Sequence, residues 1–200
     1  MKSIILISLL LTAFAARAAQ DESNQSVFSR NQKVDSEGVE LYDSNLDLKN
    51  YKKFGFGVSA GGLTGTVGIN LEANMNPEEA LAFGLGTGKS YNTFQIAWKH
   101  NFEAAYLSPY TKVGYANWFN SNGSSSDAGD NSILKRVLSD DQIRENKFSA
   151  NFIAGGMGLE YNQLEGDLAG VNFYGELLML GEIHSSVYLP TAGIGMTYFY

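Results

Sequence analysis

The residues with the most chemical potential lie near the C-terminus, where His184 and Ser186 form an H-x-S pair just beyond Glu182. A histidine beside a serine hydroxyl can act as its general base and activate it for attack on an acyl group. Glu182 has the parity to orient that histidine if the stretch is a strand, but neighbours at i and i+2 there sit nearly ~7 Å apart. No Asp or Glu follows Glu182, and a polar surface turn is the plainer reading. Gly84-Leu-Gly-Thr-Gly-Lys-Ser90 shares the ending of a phosphate-binding loop, yet that pattern needs glycine where Phe83 stands and a strand-loop-helix setting. Strand glycines and an exposed turn account for it. Asp127, Asp130 and Asn131 offer oxygens of the kind calcium takes, without EF-hand spacing, and read as a solvated loop. Cysteine is absent, which removes disulfides, thiolate metal sites and a lipidated N-terminal cysteine. We expect no metal and no cofactor.

The elements that must position any such chemistry are strands. Phe54, Phe56, Val58 and Ala60 alternate with Gly55, Gly57, Ser59 and Gly61, and Gly61-Gly62 gives a tight turn. Val67, Ile69, Leu71, Ala73 and Met75 share the next face, followed by Leu81, Phe83, Leu85 and Thr87 after a turn at Asn76-Pro77. Phe94, Ile96, Trp98, His100 and Phe102 form a fourth apolar face, which puts the second histidine among girdle aromatics. A fifth strand runs from Tyr110 to Phe119 and a sixth from Phe148 to about Tyr161, with a bulge expected where alternation slips at Gly155-Gly156. Val171, Phe173, Leu177 and Met179 mark the seventh strand. The eighth, up to Tyr200, has Ala192, Ile194, Met196, Tyr198 and Tyr200 on one side. Asn120 to Lys147 breaks the pattern with a low-complexity run and then helical spacing at Ile133, Leu134, Val137 and Leu138.

Lys2, the apolar run Ile4 to Ala16 and the A-x-A site Ala16-Arg17-Ala18 predict a signal peptide over 1–18 and a mature chain from Ala19. Losing Lys2 and Arg17 moves the net charge from −7 to −9, which disfavours nucleic acid as a partner. No later apolar run reaches the roughly 20 residues of a spanning helix. Residues 19–53 are polar and charged, with scattered apolar positions, and read as a periplasmic tail partly docked under the strands. Val39-Glu-Leu-Tyr42 is a possible short strand within it. The 22 Gly, 11 Tyr and 12 Phe suit alternating strands with interfacial aromatics.

Three consecutive aromatics, Tyr198-Phe199-Tyr200, end the chain, and alternate residues before them are apolar. This strand resembles the C-terminal strand of bacterial outer-membrane β-barrels, and the pattern from Phe54 to Tyr200 is similar to small eight-stranded barrels of the OmpA/OmpX kind. The resemblance implies an all-β, antiparallel, up-and-down transmembrane barrel over 54–200, located in the cell outer membrane, with both termini periplasmic. Connections after odd-numbered strands then face outward, which makes 120–147 an extracellular loop. Eight strands leave an interior just wide enough for side chains. The inward set is Asn70, Glu72, Asn74, Gln95, Lys99, Tyr110, Lys112, Tyr174 and Glu176, with Glu72 and Glu176 balancing Lys99 and Lys112 in a lumen network. Trp98, Phe102, Tyr198 and Tyr200 are the expected membrane-interface aromatics. The expected partners are outer-membrane lipid and lipopolysaccharide, and the outer-membrane assembly machinery acting on the last strand; the expected state is a monomer. The function expected is non-enzymatic, structural or surface-interacting through the long loop. The alternatives are a small-solute channel and a lipid-modifying enzyme, since the His184 and Ser186 pair resembles that of outer-membrane lipid A deacylases. That resemblance covers the pair alone.

Overall fold

A computed structural model describes residues 33–120, 131–145, 147–185 and 187–200. The expected leader at 1–18 and the tail up to residue 32 lie outside the described residues. Eight strands follow in chain order: β1 Phe54–Gly61, β2 Val67–Asn74, β3 Glu79–Gly88, β4 Tyr91–Asn101, β5 Leu107–Asn120, β6 Ser149–Asn162, β7 Val171–Glu182 and β8 Tyr188–Phe199. Each pairs antiparallel with the next, and β8 returns to β1, with Phe56 opposite Tyr198 and Ala60 opposite Ile194. The result is a closed up-and-down barrel of the eight strands read from the pattern. Closure gives every strand two hydrogen-bonded neighbours, which removes the sheet edge that hydrocarbon would penalise.

Period-2 alternation sorts the side chains between two environments. In β4, Tyr91, Thr93, Gln95, Ala97, Lys99 and Asn101 point inward and are buried, while Phe94 and Trp98 are exposed on the outer wall. In β8, Phe199 faces in, and Tyr198 and Tyr200 face out. β5 begins at Leu107, three residues before the expected start at Tyr110, because Leu107 and Ser108 pair with Tyr161 and Glu160.

The bulge expected at Gly155-Gly156 is absent. β6 pairs in unbroken register with β5 from Tyr161 to Ser149 and with β7 from Phe152 to Asn162. Alternation is hidden there because glycine occupies an outward position, 155, and two inward ones, 156 and 158. A Cβ on Gly155 would meet nothing within 4 Å, whereas one on Gly156 would lie 2.1 Å from the backbone oxygen of Leu177. The inward glycine lets the neighbouring strand come close.

Two segments enter the barrel from its ends. At the end that holds Phe54 and Tyr200, helix α1 (Asn45–Tyr51) is capped by Ser44, whose hydroxyl accepts from the Asp47 amide at 3.2 Å. Residues 33–53 add no strand; Val34 and Glu40, and Leu41 and Glu165, form isolated bridges. At the far end the long loop forms two short helices, α2 (Leu134–Val137) and α3 (Asp140–Glu145), in place of one continuous helical stretch. Leu134, Val137 and Leu138 join Leu63, Trp118, Phe152, Leu178 and Leu180 in an apolar cluster inside the far mouth. A smaller cluster of Tyr42, Leu48, Leu164, Ala169 and Phe199 fills the near mouth.

The glycine pair supplies a direct test of this register. Gly156→Ala should lower stability by about 1–3 kcal/mol through overpacking, and Gly155→Ala should stay within about 0.5 kcal/mol of wild type. Urea midpoints, read from the fast-migrating unboiled band on gels, measure both; equal midpoints would mean the register is wrong.

Candidate functional site

The middle of the lumen is built around Glu160, which is fully buried on β6. One carboxylate oxygen accepts from Lys49 of α1 at 2.5 Å and the other from Lys99 of β4 at 2.6 Å. Lys99 also reaches both oxygens of Glu72 at 3.2 Å and lies 4.5 Å from the centre of the Tyr110 ring. Lys49 donates to Asn101 at 2.6 Å. Beside this cluster Lys112 pairs with Glu176 at 3.0 Å, and the Tyr110 hydroxyl donates to the same carboxylate. Nearer the mouth, Lys52 meets Glu40 at 2.9 Å and donates to the Ala169 carbonyl at 2.8 Å. Four lysines thus face four glutamates. Pairing the lysines and glutamates of this network is what makes such burial tolerable, since an unpaired buried ion is strongly unfavourable.

Helix α1 supplies half of those lysines. Asn45, Leu48, Lys49 and Lys52 follow the spacing i, i+3, i+4, i+7, and all four are buried. Asn45 anchors the helix to the β4–β5 turn, accepting from the Ala104 amide at 2.9 Å and donating to the Phe102 carbonyl at 3.0 Å. Burial pulls the Lys49 amine below the ordinary lysine value, against the opposing effect of Glu160 and Glu72. In the preceding segment, hydrogen bonds to Asp43 and Asp47 hold Lys33 above the usual lysine range. Burial, with Glu40 nearby, pushes the Tyr42 phenol up to about 12.

The free space at the centre is about 20 Å³, bordered by Asn70, Glu72, Lys99, Lys112 and Glu176. That is room for about one water molecule. Above it Tyr91 stacks on Trp118 at 4.6 Å between ring centres, and Trp118 packs on Phe152 at the same distance.

The outer wall has the opposite chemistry. Leu177 is 68% exposed, Ile194 66% and Val113 62%, and Phe56, Leu71, Leu85, Ile153 and Phe173 are also exposed. An apolar wall around a charged, fully paired interior is the reverse of a water-soluble barrel, and it is the polarity of a barrel that spans lipid. The chain is a transmembrane β-barrel. No helix among the described residues is long and apolar enough to cross a membrane.

No protein-family model and no curated protein matches the chain. Among solved structures it is similar to the crystal structure of the N-terminal β-barrel domain of Pseudomonas aeruginosa OprF, at 14% identity and a TM-score of 0.47, over 72% of this chain and 96% of that one. It is also similar to the backbone structure of the Yersinia pestis outer membrane protein Ail in a phospholipid bilayer nanodisc. There the identity is 12% and the TM-score 0.39, over 74% of this chain and 99% of that one. The assignment above stands on the barrel's own closure and polarity.

The structure places Glu72, Lys99, Lys112 and Glu176 in the lumen as two separate pairs, Lys99 with Glu72 and Lys112 with Glu176. The expected balance of two charges against two is corrected to four against four. Sequence reading missed Glu160 because the expected bulge disrupted its parity, and missed Lys49 and Lys52 because 19–53 was read as a tail. The Ser44-x-x-Asp47 cap is the signal that marks α1. Trp98, Phe102, Tyr198 and Tyr200 are exposed on or beside the outer wall. His184 approaches Glu182, Nδ1 to Oε1 at 3.3 Å, because the chain turns after β7. The separation of about 7 Å expected for an extended strand does not hold there. The same carboxylate accepts the backbone amides of His184 and Ser185. Ser186, Asp127 and Asp130 lie outside the described residues. Asn131 holds the long loop, accepting from the Ile133 amide at 2.9 Å and donating to the Lys89 carbonyl at 2.8 Å. Gly84 to Gly88 is strand and Lys89-Ser90 a hairpin turn, without the helix that a phosphate loop needs.

Glu160→Gln leaves two buried ammonium groups short of a counter-charge and should cost about 3–5 kcal/mol. Adding Lys49→Met should recover part of that loss. Urea unfolding of the three proteins in the same lipid or detergent measures it, and a Glu160→Gln midpoint equal to wild type would overturn the bridging role.

Proposed function

We propose that this protein is a non-enzymatic outer-membrane barrel that acts through its surfaces, serving as an envelope element and presenting the 120–147 loop for contacts outside the cell. The observation that carries this reading is the sealed lumen. An apolar cluster fills each mouth, and a neutral charge network occupies the middle around a cavity of about 20 Å³. With the lumen occupied by side chains among the described residues, the surfaces remaining for work are the outer wall and the far-end loop. Lipid and lipopolysaccharide are the natural neighbours of the wall, and β8 with its aromatic end is the natural handle for the assembly machinery. A monomer suffices, because closure leaves no edge to pair.

The loop is attached from inside by Leu134, Val137 and Leu138, while Ile133 is exposed. Changes to its outer residues can therefore be made without removing its core contacts. Deleting residues 124–130, and separately replacing Ile133, Lys135 and Arg136 with serine, should each reduce adhesion or autoaggregation of expressing cells while leaving the heat-modifiable folded band intact. Unchanged behaviour in both would remove the loop from the function. Purified protein in planar bilayers should show no conductance above background, and steady channel activity would overturn the sealed-lumen reading.

The contact between Glu182 and His184 favours a second reading, a lipid-modifying enzyme using Ser186 as nucleophile. Lipid A mass spectra of cells expressing the wild type and Ser186→Ala decide between the two. Identical spectra are expected from the non-enzymatic reading, and a Ser186-dependent loss of acyl chains would replace it.

A further inference from the structure

On the outer wall, close to the end that holds Phe54 and Tyr200, the register sets Glu79, His100 and Thr111 side by side on β3, β4 and β5. The next outward row toward the far end is Leu81, Trp98 and Val113, again in register. Glu79, Trp98, His100, Thr111 and Val113 line a groove of about 530 Å³, large against the space left in the lumen. Its size lies within the range of small-ligand sites.

A carboxylate on a lipid-facing wall is unfavourable in proportion to its depth, so its presence there calls for a partner. Glu79 is held in place rather than free. One of its oxygens accepts from the indole N–H of Trp98 and the other lies 2.7 Å from Nδ1 of His100. Because an ionised carboxylate only accepts, Nδ1 carries the proton, and in the neutral ring Nε2 is left as an acceptor. Phe102 packs edge-on against the imidazole at 4.9 Å and fixes its orientation. Each carboxylate oxygen retains a further lone pair. Lys112 borders the groove, but its ammonium is in the lumen on Glu176. The groove therefore presents one negative charge, a ring nitrogen acceptor, an aromatic face and the Thr111 hydroxyl, and among the described residues no lysine or arginine head group is directed into it. That set complements a primary ammonium group on a molecule that also belongs in the bilayer.

We propose that this groove binds the headgroup of an aminophospholipid of the phosphoethanolamine type. The ammonium donates to Glu79 and to Nε2 of His100 and lies against Trp98, and the phosphate accepts from the Thr111 hydroxyl. Val113 and the apolar wall beyond it receive the start of the acyl chains. The site extends the surface function proposed above to the wall itself, and it rests on the membrane-spanning reading.

The chain has two tryptophans, and Trp118 is enclosed in the lumen, so Trp118→Phe leaves Trp98 as the single reporter at the groove. The wild-type chain gives the same readout over the background of the enclosed Trp118. The full mature chain is reconstituted in phosphatidylcholine vesicles that contain equal mole fractions of phosphatidylethanolamine, phosphatidylcholine or phosphatidylglycerol with brominated acyl chains. Bromine quenches Trp98 only when the lipid is adjacent. Brominated phosphatidylethanolamine should quench about two- to fivefold more efficiently than brominated phosphatidylcholine, the scale of one exposed ion pair with a cation–π contact. Glu79→Gln should abolish that preference while retaining the folded, heat-modifiable band. Equal quenching by the three lipids, a preference that survives Glu79→Gln, or a preference for phosphatidylglycerol would each overturn the site. Quenching by none of them, brominated phosphatidylcholine included, would instead show that the wall does not face lipid, and would remove the membrane reading and the site together.

Discussion

The carboxylate of Glu160 joins the wall of this barrel to the segment that enters it. One oxygen holds Lys99 from β4 and the other holds Lys49 from α1, and all three groups are nearly or fully buried. The constraint behind this arrangement is the width of an eight-stranded barrel, which admits side chains but little water. Charges inside it have no solvent to turn to and must be neutralised by one another. The wall alone carries Glu72, Glu160 and Glu176 against Lys99 and Lys112 at its centre. The N-terminal segment brings two further lysines and one glutamate and closes the balance. Docking of residues 33–53 is therefore part of the electrostatics of the barrel, and the near-mouth contacts of Tyr42 and Leu48 follow from it.

The two mouths are closed by different means. At the near end a polar helix enters on its lysines, with a small apolar cluster behind it. At the far end the closure is apolar, with the long loop lowering Leu134, Val137 and Leu138 onto Trp118, Phe152 and Leu180. Between them the lumen is narrow, with lysines and glutamates paired around a cavity of about 20 Å³. The interior between the two mouths is taken up by side chains, as the width of an eight-stranded barrel requires. On the lipid-facing wall, Glu79 with His100 and Trp98 is the conspicuous polar group among exposed apolar side chains.

Much of this was legible in the sequence. The period-2 faces marked eight strands and sorted most of their residues into two sets, and the resemblance of the last strand to those of outer-membrane barrels implied the closed order and which set faces outward. The inward placement of Glu72, Lys99, Lys112 and Glu176 could be read by parity alone. Parity failed at Gly155-Gly156, where glycine on both faces erased the contrast and suggested a bulge. With the unbroken register Glu160 falls inward, and with a bulge it is lost. Helix α1 was missed for a related reason. Its buried face, Asn45, Leu48, Lys49 and Lys52, has helical spacing but is mostly polar, so a search for apolar periodicity passes over it.

Outside β6, the sequence by itself determined what most strand residues face, since burial in a barrel wall is a local consequence of the pleat. Only the tertiary structure decided which charges meet, that the N-terminal segment closes the near mouth, and that the turn after β7 brings His184 to Glu182. Those contacts join residues far apart in the chain or depend on how it bends between elements. Lys49 and Glu160 are separated by 111 positions. Their encounter is set by barrel closure and by the narrowness of the lumen, which no local pattern records.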